Sequence, residues 1–356
     1  LLDGQPRTAS VRTLVPTRLI RIDRGNVEEL LLRADPVIQY LLRLLLERFR
    51  SAHDAGPPAN PALRSVAVAE RLHDSVDLHK AAVRTLSLAQ DLSDAIDRNQ
   101  LELFYQPLLS FSDASLVGFE ALLRWRHPTL GMVNPMEFIA LAEKTGLIHR
   151  IGHWVLQRAA FDWAELRQHA LRDGQDQPFV SVNLSAPELS QAGIVQAVHH
   201  ALAQQAMRPE ELHIELTETA IIHSMAPVST ALHQLRELGV GIALDDFGTG
   251  YAGLDYLQTL PFSCLKIDKT FVQQINRSER SLHIVKAALE LANSIGLTTI
   301  AEGIEDAATG AVLATMGCSL AQGFHFARPM PKGDVAAWLA GHRLLRLNPT
   351  DPTAGR

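Results

Sequence analysis

Cys264-Leu265-Lys266-Ile267-Asp268, a helical pattern from Arg280 to Ile295, then Thr298-Thr299-Ile300-Ala301-Glu302-Gly303-Ile304: this stretch reads as strand, helix, strand. Both strands are short apolar runs, as expected where a parallel sheet is covered on both faces. Outward from it, the same texture holds from Leu101 to about Leu339. The strand candidates are Leu103–Leu109, Leu116–Trp125, Phe179–Leu184, Leu212–Glu218, Gly241–Asp246, Cys264–Asp268, Thr298–Ile304 and Ser319–Phe326. Helical patterns such as Trp154–His169 and Ser229–Leu238 fall between most of them. Eight strands alternating with helices over ~240 residues predict an α/β fold, a closed TIM-like (β/α)₈ barrel. Six residues separate the first two strands, too few for a crossover helix. They predict a hairpin, and hence a modified barrel with one antiparallel strand.

The acids fall near the ends of these runs. Glu120 lies inside Val117-Gly118-Phe119-Glu120-Ala121-Leu122-Leu123, Asn183 ends Val180-Ser181-Val182-Asn183, and Glu215 and Glu218 lie in His213-Ile214-Glu215-Leu216-Thr217-Glu218. Asp245 and Asp246 close Gly241-Ile242-Ala243-Leu244, Lys266 and Asp268 sit on the next strand, Glu302 and Glu305 follow Ile300, and Gln322 precedes Gly323. An ionised carboxylate in such a strand costs several kcal/mol unless it is paired or bound to metal. One such acid reads as a structural salt bridge. Six polar strands in succession, with Lys266 the only base among them, predict metal cations supplying the missing positive charge. The donors are all oxygen, with no His or Cys at ligand spacing, which selects Mg²⁺, Mn²⁺ or Ca²⁺ over Zn²⁺ or Cu²⁺. The pair Asp245-Asp246 suggests two cations sharing a site, as in phosphodiester cleavage. The following Phe247-Gly248-Thr249-Gly250-Tyr251 reads as a loop at the barrel mouth, and the 15 histidines as surface or packing residues.

The 356 residues, 47% hydrophobic and 20% charged, leave room for one large domain and a smaller unit. A net charge of -6 without a basic run argues against a nucleic-acid polymer as partner. Two distant cysteines, Cys264 and Cys318, exclude a disulfide framework and fit a cytoplasmic compartment. No run reaches the ~18 apolar residues of a membrane span; Val37–Phe49 is broken by Arg43, Glu47 and Arg48. Leu1 in place of Met, with no signal peptide, reads as a piece of a longer chain. Residues 1–55 read as a turn, two strands and two helices, a partial β-roll and helical segment. Residues 56–99 open on the breakers Gly56-Pro57-Pro58-Ala59-Asn60-Pro61 and continue as helical linker. The barrel occupies 100–342, and 343–356 is a tail. The stripe Ile38, Leu41, Leu42, Leu44, Leu45 and Phe49 predicts a homodimer.

Glu120-Ala121-Leu122, within Gly118-Phe119-Glu120-Ala121-Leu122-Leu123-Arg124-Trp125, resembles the signature of EAL-domain cyclic di-GMP phosphodiesterases. The likeness continues in order through Tyr105-Gln106-Pro107, Val182-Asn183-Leu184-Ser185, Glu215-Leu216-Thr217-Glu218, Asp245-Asp246-Phe247-Gly248-Thr249-Gly250, Lys266-Ile267-Asp268, Ala301-Glu302-Gly303-Ile304-Glu305 and Gln322-Gly323-Phe324. The resemblance implies metal-dependent hydrolysis of cyclic di-GMP to linear pGpG, with Mg²⁺ or Mn²⁺ as working ions and Ca²⁺ inhibitory. It implies that Glu120, Asn183, Glu215 and Asp245 hold one cation and Asp245, Asp246 and Glu302 the other. Glu302 is then the general base and Lys266 orients the water and neutralises the phosphate. Gln106, Arg124 and Asp268 contact substrate, Glu218 anchors the loop, and Glu305 and Gln322 support the metal shell or water. One departure is Ala252-Gly253, where relatives have two serines. The competing expectations are a catalytically silent cyclic di-GMP receptor and, less specifically, an unrelated lyase on the same barrel.

Gly4-Gln5-Pro6-Arg7-Thr8-Ala9-Ser10-Val11-Arg12, followed by two strands and the Leu-rich helix, resembles the second half of a cyclic-nucleotide-binding domain. That likeness implies that Arg7 and Thr8 hold a cyclic phosphate in the parent protein, which makes a cyclic mononucleotide a second expected partner.

Overall fold

The computed structural model describes residues 87–172, 178–223, 225–248 and 255–347. Arg7, Thr8, the Leu-rich stripe and Ala252-Gly253 lie outside the described residues. The described residues fall into two compact units. One holds 87–99 and Val133–Ile148. Its 87–97 helix buries Leu88, Ala89, Leu92 and Ala95, and Asn99 beyond it takes a left-handed φ of 54°. Its second helix, Pro135–Thr145, begins at Asn134, whose side chain accepts the Met136 N–H, and ends at Gly146 with φ 75°. These are an Asn cap and a glycine stop of the ordinary kind.

The other unit, residues 100–132 and 149–347, is the barrel. We number its eight strands β1 (Leu101–Ser110), β2 (Leu116–His127), β3 (Phe179–Asn183), β4 (Leu212–Thr217), β5 (Gly241–Phe247), β6 (Cys264–Ile267), β7 (Thr298–Ala301) and β8 (Leu320–Ala321). They pair in the order β1-β8-β7-β6-β5-β4-β3-β2, and β2 pairs back onto β1 to close the ring. Every neighbouring pair from β2 to β8 is parallel, while β1 runs antiparallel to both β2 and β8. The cause is the tight connection after β1, where the Ser110 N–H reaches Ser115 O at 2.9 Å and Ala114 adopts φ 55°.

Alternation along the strands sorts side chains into two sets. Leu265, Ile267 and Ala301 face outward and pack on Val285 and Leu289 of the Glu279–Ser294 helix and Leu313 of the Ala307–Thr315 helix. Leu108, Phe179, Ala243, Cys264, Ile300 and Leu320 meet instead in an apolar plug drawn from six strands. Two residues beyond plug members on β5, β6, β7 and β8 come Asp245, Lys266, Glu302 and Gln322, and two residues back along the antiparallel β1 comes Gln106. A period of two therefore lays one polar layer directly above the plug.

The plug is tightly filled. The Phe179 and His213 rings stack at 3.8 Å and 7°. Neighbouring positions carry glycine, because a Cβ at Gly241 would meet the His213 ring at 2.2 Å and one at Gly118 would meet Phe179 O at 2.3 Å.

The last predicted strand, Ser319–Phe326, is shorter than the sequence suggests. Only Leu320–Ala321 pairs regularly, and Gly323–Ala327 forms a turn. Gln322 N–H bonds Ala301 O, but Gly323 then presses onto Ile304, whose O would lie 2.1 Å from a Cβ there. That close backbone approach ends the ladder. A further short strand, Met330–Pro331, pairs with Phe104 and Tyr105 of β1.

Candidate active site

Lys266 is fully buried, and its ammonium is the hub of the polar layer. Nζ pairs closely with Glu215 Oε2, lies 2.6 Å from Glu302 Oε1, 3.4 Å from Asp245 Oδ2 and 3.7 Å from Glu120 Oε1. These groups come from β2, β4, β5 and the end of β7, so the ring closure brings together residues 182 positions apart between Glu120 and Glu302. Amides tie them on the other side. Asn183 Nδ2 donates to Glu120 Oε1 at 2.9 Å, and Gln322 Nε2 donates to Glu120 Oε2 at 2.5 Å and to Gln106 Oε1 at 3.1 Å. Gln106 in turn donates to Ala327 O at 3.0 Å, which ties the turn after β8 to the same layer.

Four carboxylates, Glu120, Glu215, Asp245 and Glu302, lie within 4.0 Å of one ammonium, and Asp246 adjoins them, so the layer is richer in acid than in base. Burial raises the carboxyls of Asp245 and Glu302, and Asp245 and Glu120 reinforce the rise at Glu302 while Lys266 opposes it. Burial likewise pushes Glu215 up to about 8 and Asp246 up to about 6. Burial also works on Glu120, but Lys266, Gln322 and Asn183 outweigh it and hold that carboxyl below its ordinary range. Lys266 is desolvated yet stays firmly protonated because the acids around it prevail.

The donor set fits hard divalent cations: oxygen ligands only, and Asp245, Asp246 and Glu302 each able to bring an oxygen within 4.8 Å of the others. Among the described residues no hydrogen-bond donor reaches the buried Glu215 Oε1, a lone pair that such a cation would satisfy.

The other expected site residues divide. Asp246 takes the left-handed φ of 56°, rare for a residue with a side chain, and its N–H bonds Asp245 Oδ1 at 2.8 Å. Glu218, buried at the start of the Glu218–His223 helix, accepts the Gly248 N–H at 3.2 Å. Asp268 is buried and caps the Lys269–Val272 helix, accepting from Thr270 N at 3.0 Å and from the Thr270 hydroxyl, and it also contacts Asp246. Arg124 is half-buried, donates to Leu123 O at 2.9 Å and lies over the Phe104 ring at 5.7 Å. Glu305 stands apart: it is exposed and bonded to Gln273 at 3.0 Å. Two contacts of the site carry no signal in the sequence. Tyr256, on the short Asp255–Thr259 helix, hydrogen-bonds Glu218, and Gln273 holds Glu305.

Fold and site together define an α/β-barrel protein with an acidic, cation-type centre at the C-terminal ends of its parallel strands, where barrel active sites lie. Residues 89–329 match the EAL domain, and the chain belongs to the EAL domain family. It is 40% identical over 245 residues to the cyclic di-GMP phosphodiesterase NbdA of Pseudomonas aeruginosa, covering 69% of this chain and 31% of that protein. The solved PaMucR phosphodiesterase in complex with c-di-GMP is 40% identical, with a TM-score of 0.66 over 70% of this chain and 99% of that one. The EAL enzyme Bd1971, in its cAMP- and cyclic-di-GMP-bound form, is 30% identical, with a TM-score of 0.70 over 89% of this chain and 80% of that one. The chain spans about a third of the length of the curated relatives it matches. Among the described residues, no helix is long and apolar enough to cross a membrane.

Proposed function

We propose that this chain hydrolyses cyclic di-GMP to linear pGpG with Mg²⁺ or Mn²⁺. The observation that carries the reading is the fully buried Lys266 paired with four carboxylates, Glu120, Glu215, Asp245 and Glu302, in a layer whose negative charge one ammonium cannot balance. Glu120, Asn183, Glu215 and Asp245 would hold one cation, and Asp245, Asp246 and Glu302 the second. Bound there, the cations would polarise the phosphate and acidify the attacking water. The water oxygen forms the new bond to phosphorus as one P–O3′ bond breaks, and the departing oxygen takes up a proton. With cations bound beside it, Glu302 would return to its ionised form and would then accept the proton released by the water. Lys266 holds that water and offsets charge growing on the phosphate oxygens. Arg124 and Gln106 orient the dinucleotide, Arg124 at a phosphate, with Asp268 as a third contact, and Gln322 holds Glu120. Ca²⁺, larger and less demanding in geometry, would occupy the site without turnover. The test is incubation of the chain with cyclic di-GMP and Mg²⁺ or Mn²⁺, followed by chromatography. Binding without turnover would make it a silent receptor instead.

For the whole protein we propose that a cyclic mononucleotide bound by Arg7 and Thr8 changes the phosphodiesterase rate. The cassette-like Gly4–Arg12 segment supports this, as does the likeness to an EAL enzyme described with both cAMP and cyclic di-GMP bound. A linker can carry such coupling only if the ligand prefers one of two states, and an effect of about 5- to 150-fold is usual. Assay of the longer protein with cyclic AMP or cyclic GMP, beside an Arg7→Ala variant, tests it; equal responses would end the proposal. A cytoplasmic homodimer is proposed on the cysteine usage and the stripe from Ile38 to Phe49, and a monomeric mass by light scattering would refute the dimer.

A further inference from the structure

The backbone that presents Asp246 is bent out of the ordinary range. Asp246 has φ 56° and Gly248, two residues on, has φ 96°. A non-glycine residue in this region is strained and persists only where surrounding contacts over-determine it. Two contacts secure this bend: Asp246 N–H to Asp245 Oδ1 at 2.8 Å, and Gly248 N–H to Glu218 Oε2 at 3.2 Å. The second depends on a carboxylate that is itself buried, at 3% exposure. Such a group keeps its place only if further donors satisfy it.

Tyr256 is one of those donors. Its ring is buried and packs edge-on against Phe262, with centroids 6.5 Å apart and planes at 88°. Its hydroxyl hydrogen-bonds Glu218, and burial together with that acid pushes the phenol well above its ordinary range, so it remains a donor. The chain of polar contacts runs from the Tyr256 hydroxyl through Glu218 to Gly248, and so to the bend that carries Asp246, while Phe262 only packs on the ring.

We propose that Tyr256 is a positioning residue for the cation-binding acid Asp246, acting through Glu218 and the Gly248 backbone. The proposal rests on the reading of Asp245, Asp246 and Glu302 as cation ligands. Its test needs no turnover, so it stands or falls separately from the phosphodiesterase reading. Mn²⁺ binding to the whole chain is titrated calorimetrically for wild type, Tyr256→Phe, Glu218→Gln, the double variant and Phe262→Leu, with the melting temperature recorded for each. A wild-type chain that binds no Mn²⁺ would defeat both the cation reading and this proposal. Given binding, Tyr256→Phe is expected to weaken it about tenfold, some 1.4 kcal/mol. Glu218→Gln should weaken it at least as much, and the double variant no more than Glu218→Gln alone, because the two act in series. Phe262→Leu should lower the melting temperature and leave Mn²⁺ affinity unchanged. Unchanged affinity in Tyr256→Phe, full additivity in the double variant, or an equal loss in Phe262→Leu would overturn the proposal. So would a Tyr256→Phe chain that fails to fold, since the hydroxyl would then belong to core packing.

Discussion

Lys266 Nζ lies 2.6 Å from Glu302 Oε1, and each residue follows an apolar plug member by two positions, Cys264 and Ile300. The pair joins two adjacent parallel strands at the level where the barrel changes from hydrocarbon to charge. In this setting the ammonium offsets repulsion among the acids, and under the proposed function it would also meet charge on a bound phosphate. That second role would grow as the proposed reaction proceeds.

Lys266→Met should therefore lower kcat by about 10²- to 10³-fold while shifting substrate KM far less. Steady-state kinetics at saturating Mn²⁺ measures both. A change confined to KM would reassign Lys266 to plain substrate recognition.

Asp245→Asn should abolish turnover, because under the proposed function Asp245 is the acid that both cations would share, and losing it would weaken the two together. Mn²⁺ titration of the same variant should show reduced stoichiometry. Near-normal activity would mean that the cation assignment is wrong.

Much of this site is legible in the sequence because ionisable side chains are so costly inside a covered strand. Glu120, Glu215, Asp245 and Lys266 each interrupt an apolar run, and all four meet. Repetition of strand and helix gives the barrel, and the short link after Leu109 gives its antiparallel member. What stays hidden depends on contacts between distant segments. Glu305 repeats the strand-end pattern yet turns outward to Gln273, since the backbone leaves the ladder after Ala301. Asp268 reads as one more inward acid and does reach Asp246, but what the pattern does not announce is that a helix starts at Lys269 and the same carboxylate caps it. The end of β8 is set by Gly323 meeting Ile304, a close approach that no local pattern announces.

The Phe179–His213 stack was equally unreadable, and it makes a prediction about acid stability. Burial, aided by Arg236, depresses the His213 imidazole to about 4 from its ordinary 6.5. Between those values the unfolded chain takes up a proton that the folded chain refuses. The stability contributed is therefore complete above pH 6.5 and is lost as pH falls toward 4, by up to about 3 kcal/mol. Denaturant melts from pH 7 to pH 4 should show this slope in wild type and a shallower one in His213→Phe. Parallel slopes would assign the acid sensitivity to other groups.

Gly241→Ala should cost about 1–3 kcal/mol, the usual range for overpacking, because its Cβ would land 2.2 Å from the His213 ring. Trimming the ring should relieve it, so Gly241→Ala and His213→Ala combined should cost less than the sum of the two alone. Additive losses in chemical denaturation would show that the two do not meet.

The most direct measurement is chromatographic: the chain is incubated with cyclic di-GMP in Mg²⁺ or Mn²⁺, in EDTA, and as the Asp245→Asn variant. Under the proposed function, linear pGpG forms from the wild-type chain with either cation, and none forms with EDTA or with the variant. Cyclic di-GMP recovered intact from the wild-type chain with Mg²⁺ and with Mn²⁺ would contradict it.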